Sequence, residues 1–297
     1  METLHFSVAH HPFYITAPNI DAVISLLPSY LPFLLKEGNK SISTQTVDPI
    51  FTFQLTTESI STKAPLYTKF SWDEAECSVY RDETEYAFEV QYSSSSKSFL
   101  MTCDVLFKEG KMQWQENDTY FSYALGNFLM MMYAFSTATR QTLLMHASVI
   151  LQNGYGYLFQ GKSGTGKSTH SGLWLAHIKG SELLNDDNPV IRIIDGKAIV
   201  YGSPWSGKTP CYRNEEAPIG SFVRLTQAPE NKIEPQSTAS AFASILSSCS
   251  IIKWDTRIHN GICDTISLLA TSASAYHLYC LPNEAAAQLS YSVITHQ

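Results

Sequence analysis

The first third of the chain alternates apolar and polar side chains in short runs. Residues 5–8, 13–15, 50–55, 66–72, 77–81, 86–92, 99–106 and 112–115 follow the two-residue period of half-buried strands. Turn-forming stretches lie between several of them: Asp82-Glu83-Thr84, the serines at 93–96 and Glu109-Gly110-Lys111. Residues 20–35 have helical apolar spacing instead, and Pro28 and Pro32 predict a break into two pieces. The pattern predicts an antiparallel meander around one interrupted helix. His10-His11 carries no expected metal, because neighbours on a strand face opposite ways.

The pattern changes near residue 118. Residues 118–139 predict a long helix, with Asp118 or Thr119 as N-cap and three consecutive methionines in an apolar body. Such apolarity predicts that it lies against the sheet of the second half. Residues 142–151 read as a strand, Asn153-Gly154 as a hairpin turn, and 155–159 as the antiparallel return. A glycine-rich stretch follows, then a helix over 168–179. An apolar run from 183 ends in Asp186-Asp187, and a second hairpin turns at Asp195-Gly196. Residues 202–217 read as loop, 219–225 and 276–281 as strands, and 237–247 and 262–272 as helices. Asn283 caps a closing helix. The expected organisation is a β-rich region of unknown role over 1–117 and a nucleotide-binding domain over 118–297.

Gly161-Lys162-Ser163-Gly164-Thr165-Gly166-Lys167-Ser168 has phosphate-loop spacing, two glycines framing four residues and then Lys-Ser. Glycines let the backbone turn tightly and aim its N–H groups into one concavity. The helix that follows adds the partial positive charge of its N-terminus. The expected phosphate cradle is Gly161, Ser163, Gly164, Thr165, Gly166, Lys167, Ser168 and Thr169. Lys167 would meet the outer phosphates, and the Ser168 hydroxyl the accompanying metal. Phosphoryl transfer also needs a second metal contact and a base. A strand alternates faces, so the acidic pair divides into Asp186 as base and Asp187 as metal contact, with the reverse left open. His146, on the strand paired with the one entering the loop, could reach the terminal phosphate. Its ordinary alternative is a satisfied core histidine. His170 and His177 read as peripheral, and Lys162 as solvent-facing.

The Gly-x-Ser-Gly-x-Gly-Lys-Ser loop, one helix and the hydrophobic-x-Asp-Asp run together resemble the superfamily of HPr kinase/phosphorylase and ATP-dependent phosphoenolpyruvate carboxykinase. Met145-His146-Ala147-Ser148 resembles the His-Gly strand of HPr kinases, and residues 202–208 resemble the Pro-Trp-x-Gly loop of HPr-kinase-like proteins. The resemblance covers about 142–297. The Glu-Ile-Arg-Gly-Leu-Gly signature is absent, and Thr169 stands where those enzymes have Glu, which speaks against HPr as substrate. The resemblance implies a mixed α+β fold with an antiparallel-rich phosphate-loop kinase core. It further implies ATP and Mg2+ as cofactors, a catalytic role for His146, and acceptor recognition after Pro204-Trp205, where Lys208 and Arg213 supply cations. The expected function is transfer of the terminal phosphate of ATP to a hydroxyl on a protein serine or small metabolite. The alternative is a nucleotide-binding regulatory or scaffold protein without catalysis. A carboxykinase-like enzyme ranks last, for want of a further Arg/Lys cluster.

Composition narrows the class. With 297 residues, 44% hydrophobic and 16% charged, the chain is globular in type. Its net charge of -7 and pI near 5.7 argue against non-specific nucleic-acid binding, which wants a basic face. Cys77, Cys103, Cys211, Cys249, Cys263 and Cys280 are scattered with no Cys-x-x-Cys pair, which predicts reduced thiols. The first residues lack a secretion signal, and the longest apolar stretch, 125–135, is too short to span a bilayer. These features predict a cytoplasmic protein with no membrane partner, whose partners are a nucleotide and an unidentified acceptor; a homo-oligomer is compatible with this.

Overall fold

β1 (Glu2–Val8) and β2 (His11–Ala17) form a hairpin whose turn residues, Ala9 and His10, have φ of 47° and 59°. Positive φ at both central positions matches the right-handed twist of the strands. The turn also separates the histidine pair: His10 is exposed in the turn, and His11 is buried on β2. The computed structural model describes residues 1–35, 48–72, 75–95, 97–115, 117–207 and 209–295. These fall into two units, Met1–Ser136 and Thr137–Gln297. Both carry extensive sheets together with helices, a mixed α/β architecture.

In the first unit, α1 (Ile20–Leu26) is capped by Asn19 and followed by a short 3-10 helix, Pro28–Phe33, as the prolines predict. β3 (Thr52–Thr56), β4 (Leu66–Trp72), β5 (Ala75–Arg81), β6 (Glu85–Tyr92), β7 (Ser98–Asp104) and β8 (Glu109–Gln113) complete the sheet. Its order is β1-β2-β3-β8-β7-β6-β5-β4. The expected meander holds from β4 to β8. β3, however, is parallel to both β2 and β8.

The long helix α2 (Phe121–Ser136) lies in this unit and covers its sheet, not the sheet of the glycine loop. Tyr133 donates to the Val8 carbonyl at 3.0 Å and sets its ring edge-on to Phe13, while Phe135 and Phe121 meet Phe107 and Phe99. Each such buried ring contributes about 1.5–3 kcal/mol. Among the described residues, no helix is long and apolar enough to cross a membrane.

The second unit contains β9 (Thr142–Leu144), β10 (Ala147–Gln152), β11 (Tyr155–Gln160), α3 (Lys167–His177), β12 (Glu182–Asp187), β13 (Val190–Ile194), β14 (Lys197–Tyr201) and β15 (Glu216–Gln227). β16 (Lys232–Pro235), α4 (Thr238–Leu246), α5 (Thr256–Ser272), β17 (Ser274–Cys280) and α6 (Glu284–Ile294) close it. Both expected hairpins form, with positive φ at Asn153, Gly154, Asp195 and Gly196. The strand order is β12-β10-β11-β15-β14-β13-β9, with β17 and β16 branching from β15.

β15 starts earlier and runs further than the sequence predicts. Its first residues pair with β14, and its later ones are parallel to both β11 and β17. The expected strand over 142–151 is split at 145–146, where the chain leaves β13 for β11 and β12. Both halves are buried and apolar, so the sequence carries no mark of the change of partner.

One face of the β10-β11-β15-β17 sheet carries Ile150, Tyr157, Phe159, Val223, Leu225, Tyr276 and Leu278. Trp174 of α3 and Ala286, Ala287 and Ile294 of α6 pack onto it. The wholly buried Trp174 ring holds α3 against β11, and its Nε1–H donates to Ser290 of α6 at 2.9 Å.

Candidate functional site

β11 ends at Gln160 and the chain passes straight into the glycine loop. Gly164 and Gly166 have φ of 80° and 100°, left-handed values that favour glycine. Gly166 immediately precedes α3, and no side chain caps that helix. The first N–H groups of the helix are therefore left directed at the loop, with the positive end of its dipole. Thr165 closes the turn through its N–H and hydroxyl, both donating to the Lys162 carbonyl. From the end of β15, Gln227 Nε2 donates to the Gly164 carbonyl at 3.2 Å. Lys162, Ser163, Gly164, Ser168 and Thr169 are exposed, whereas Lys167 is buried.

Sheet register brings the other residues to this loop. β10 lies between β11 and β12 and is antiparallel to both, so those two strands run the same way and end at one edge. Ala147 is the register partner of both Gln160 and Asp187. The residue before it, His146, therefore stands between the start of the loop and the acidic pair. The break at 145–146 is held by Met145 N–H donating to the Pro189 carbonyl and His146 N–H to that of Ser248.

Lys167 Nζ donates to the Gly161 carbonyl at 3.1 Å and lies 2.7 Å from His146 Nε2. His146 Nδ1 is 2.8 Å from Asp187 Oδ1. An ammonium only donates, so Nε2 is the bare nitrogen and Nδ1–H donates to the carboxylate. The three side chains form a line: Lys167, His146, Asp187. Burial lowers the Lys167 pKa below its ordinary value, against the opposing pull of Asp187 and Asp186. Burial prevails because it removes water from the ammonium.

Asp187 has φ of 146°, a backbone state that costs a non-glycine residue about 1–3 kcal/mol. Its Oδ2 accepts from Asn188 Nδ2 at 2.8 Å. Asp186 is buried, and its carbonyl accepts from Gly207 N–H at 2.6 Å and from the Ser206 hydroxyl at 3.1 Å. Its carboxylate makes no hydrogen bond or ion pair with the described residues. A Cβ on Gly207 would lie 3.1 Å from that of Asp187, so a larger residue would push this segment off the acidic pair. Ser203 fastens the same segment, accepting from Asn185 and donating to the Asn188 carbonyl.

Gly161, Lys167, His146 and Asp187 are thus linked in one cluster, and Asp186 adjoins it. Arg213 is not brought there: it pairs with Glu182 and Glu215 and donates to the Leu183 carbonyl at 3.0 Å. Leu183 is four strand residues from Asp187, roughly 13 Å. Lys208 lies outside the described residues. His170 is buried against Phe159 with Nε2 3.0 Å from the Ser290 hydroxyl, and His177 faces Glu284. Asn188 and Gln227 have no signal in the sequence; Ser206 and Gly207 lie in the stretch that resembles the Pro-Trp-x-Gly loop.

No protein-family model and no curated protein sequence matches the chain. Among solved structures, it is similar to the HPr(Ser) kinase/phosphatase from Coxiella burnetii at 11% identity and a TM-score of 0.31, over 51% of this chain and 93% of that one. Overlap of that degree establishes neither common ancestry nor common chemistry.

Proposed function

We propose that the Thr137–Gln297 unit is an ATP- and Mg2+-dependent phosphotransferase that moves the terminal phosphate to a hydroxyl acceptor. The carrying observation is the Lys167–His146–Asp187 line at the mouth of an uncapped helix start, where β11 and β12 end together. Phosphoryl transfer is mostly positioning and charge neutralisation, and the residues divide those tasks.

The N–H groups of the loop and of the first turn of α3 receive phosphate oxygens. Lys167, freed from the Gly161 carbonyl, supplies a cation to the outer phosphates. His146 holds the ammonium to one side and, through Nδ1–H, fixes the direction of the Asp187 carboxylate. Bound Mg2+ would supply further neutralisation of the phosphate charge. The exposed Ser168 hydroxyl and Asp187 are the groups that fit it, since such an ion keeps waters and phosphate oxygens and takes few protein ligands. Asp186, with an uncommitted carboxylate, is the base that receives the acceptor's proton.

Titration with a fluorescent ATP analogue tests the cradle. Lys167→Ala should weaken binding at least about tenfold, the loss of one charge-assisted contact; unchanged affinity would refute it. Asp186→Asn should keep binding and lose phosphate transfer into fractionated lysate. Transfer retained by that variant removes the base assignment. Binding without transfer by the unmodified protein favours the regulatory reading.

A further inference from the structure

The face of the second sheet opposite α3 and α6 carries a polar row. In register across four neighbouring strands stand Gln160 on β11, Arg224 on β15, His277 on β17 and Glu234 on β16. Their neighbours one residue away, Phe159, Val223, Leu278 and Ile233, belong to the apolar core on the other face, so alternation turns this row away from it. The row starts at the residue that enters the glycine loop. It also lies near the carboxyl ends of the parallel strands, where ligands of open α/β sheets bind.

Two members of the row lack what burial normally demands. Gln160 is 1% exposed, and among the described residues neither its Nε2 nor its Oε1 has a hydrogen-bond partner. Each unpaired buried group costs about 1–3 kcal/mol. Beside it, half-buried Arg224 makes one marginal bond, Nη1 to the Ser244 hydroxyl of α4 at 3.5 Å. Among the described residues no carboxylate pairs with it; Glu234 stands two strands away, across His277, roughly 10 Å. The guanidinium is felt by His277, whose pKa is lowered by burial and then by Arg224, against Glu234.

We infer that Arg224, with the Gln160 amide beside it, is a binding site for the carboxylate of a small hydroxy acid, on the sheet face turned away from α3. Arg224 and Gln160 Nε2 donate, and the guanidinium charge calls for an anionic group to accept. The planar fork of a guanidinium fits a carboxylate in particular. Gln160 Oε1 accepts, and so requires a donor on the same molecule, which a hydroxyl supplies. The depth of Gln160, 1% exposed, suits a small molecule and not the side chain of a folded partner. The carboxylate subsite does not rest on the phosphotransferase reading.

The test labels Arg224 with phenylglyoxal in the full chain and follows the modified peptide by mass spectrometry. D-Glycerate is the probe and glycerol its uncharged counterpart. Glycerate at about four times its dissociation constant should slow labelling about fivefold, and glycerol should not. Gln160→Glu should slow labelling without any probe, by placing a carboxylate next to the guanidinium. Gln160→Leu should keep the basal labelling rate but lose most of the glycerate protection. Absence of glycerate protection, or equal protection by glycerol, overturns the subsite. Full protection by Mg-ATP alone also overturns it, by assigning Arg224 to the nucleotide. Glycerate protection in a protein that binds no ATP would leave the subsite standing and remove the kinase reading.

Discussion

In the Met1–Ser136 unit, the interior polar groups are His11 and a few hydroxyls among stacked aromatic rings such as Phe13 and Phe51. In the Thr137–Gln297 unit, Lys167, Asp186, Asn185, Gln160 and His170 are buried as well. The unpartnered atoms of Gln160, His170, Ser221 and Gln236 also lie there. The second interior tolerates groups whose desolvation opposes folding; Gln160 and Lys167 flank the glycine loop, and His170 lies on the helix that follows it. Among the described residues, buried Lys and Asp side chains thus occur only in the half that holds the proposed site.

The largest effect expected from this contrast is in the first unit. Phe13→Ala removes a wholly buried ring stacked 4.8 Å from Phe51 and should cost about 3–5 kcal/mol. Urea unfolding reads the loss, while ATP affinity should stay unchanged. A parallel fall in affinity with the second unit still folded would break that contrast.

A smaller effect separates the halves by pH. Burial lowers the His170 pKa to about 4, below its ordinary value of 6.5. Between those values the unfolded chain takes up a proton that the native one refuses, so stability falls as pH drops through that window. The full loss is about 3 kcal/mol near pH 4. His170→Gln should flatten the pH dependence of the urea midpoint relative to the unmodified protein; an unaltered slope would show that His170 is not held neutral.

The smallest effect sharpens the contrast at one residue. Asp187→Gly should relieve the backbone at φ 146° and raise stability by about 1 kcal/mol net of glycine's entropy. Phosphate transfer should be lost at the same time. Lower thermal stability in this variant would mean that the side-chain bonds to His146 and Asn188 outweigh the backbone strain.

Much of the local structure was legible. Asn153-Gly154 and Asp195-Gly196 prescribe their hairpins because few other pairs accept positive φ twice. Pro28 divides the first helical stretch by removing an N–H and clashing with the preceding turn. The glycine spacing before Lys167 marks a tight loop before any sheet is known. The helix Phe121–Ser136 was misplaced, because an apolar helix shows that it is covered and not by which sheet.

The sequence by itself determined the periods of the strands, the turns and the chemistry available at Gly161–Lys167–Asp187, since each depends on a residue and its nearest neighbours. Strand partnership was decided only in the folded chain. The parallel seat of β15, the break before Ala147 and the row from Gln160 to Glu234 all arise from it. Backbone N–H and C=O groups are alike in every residue but proline, so pairing follows which faces can be buried together, a property of the whole unit.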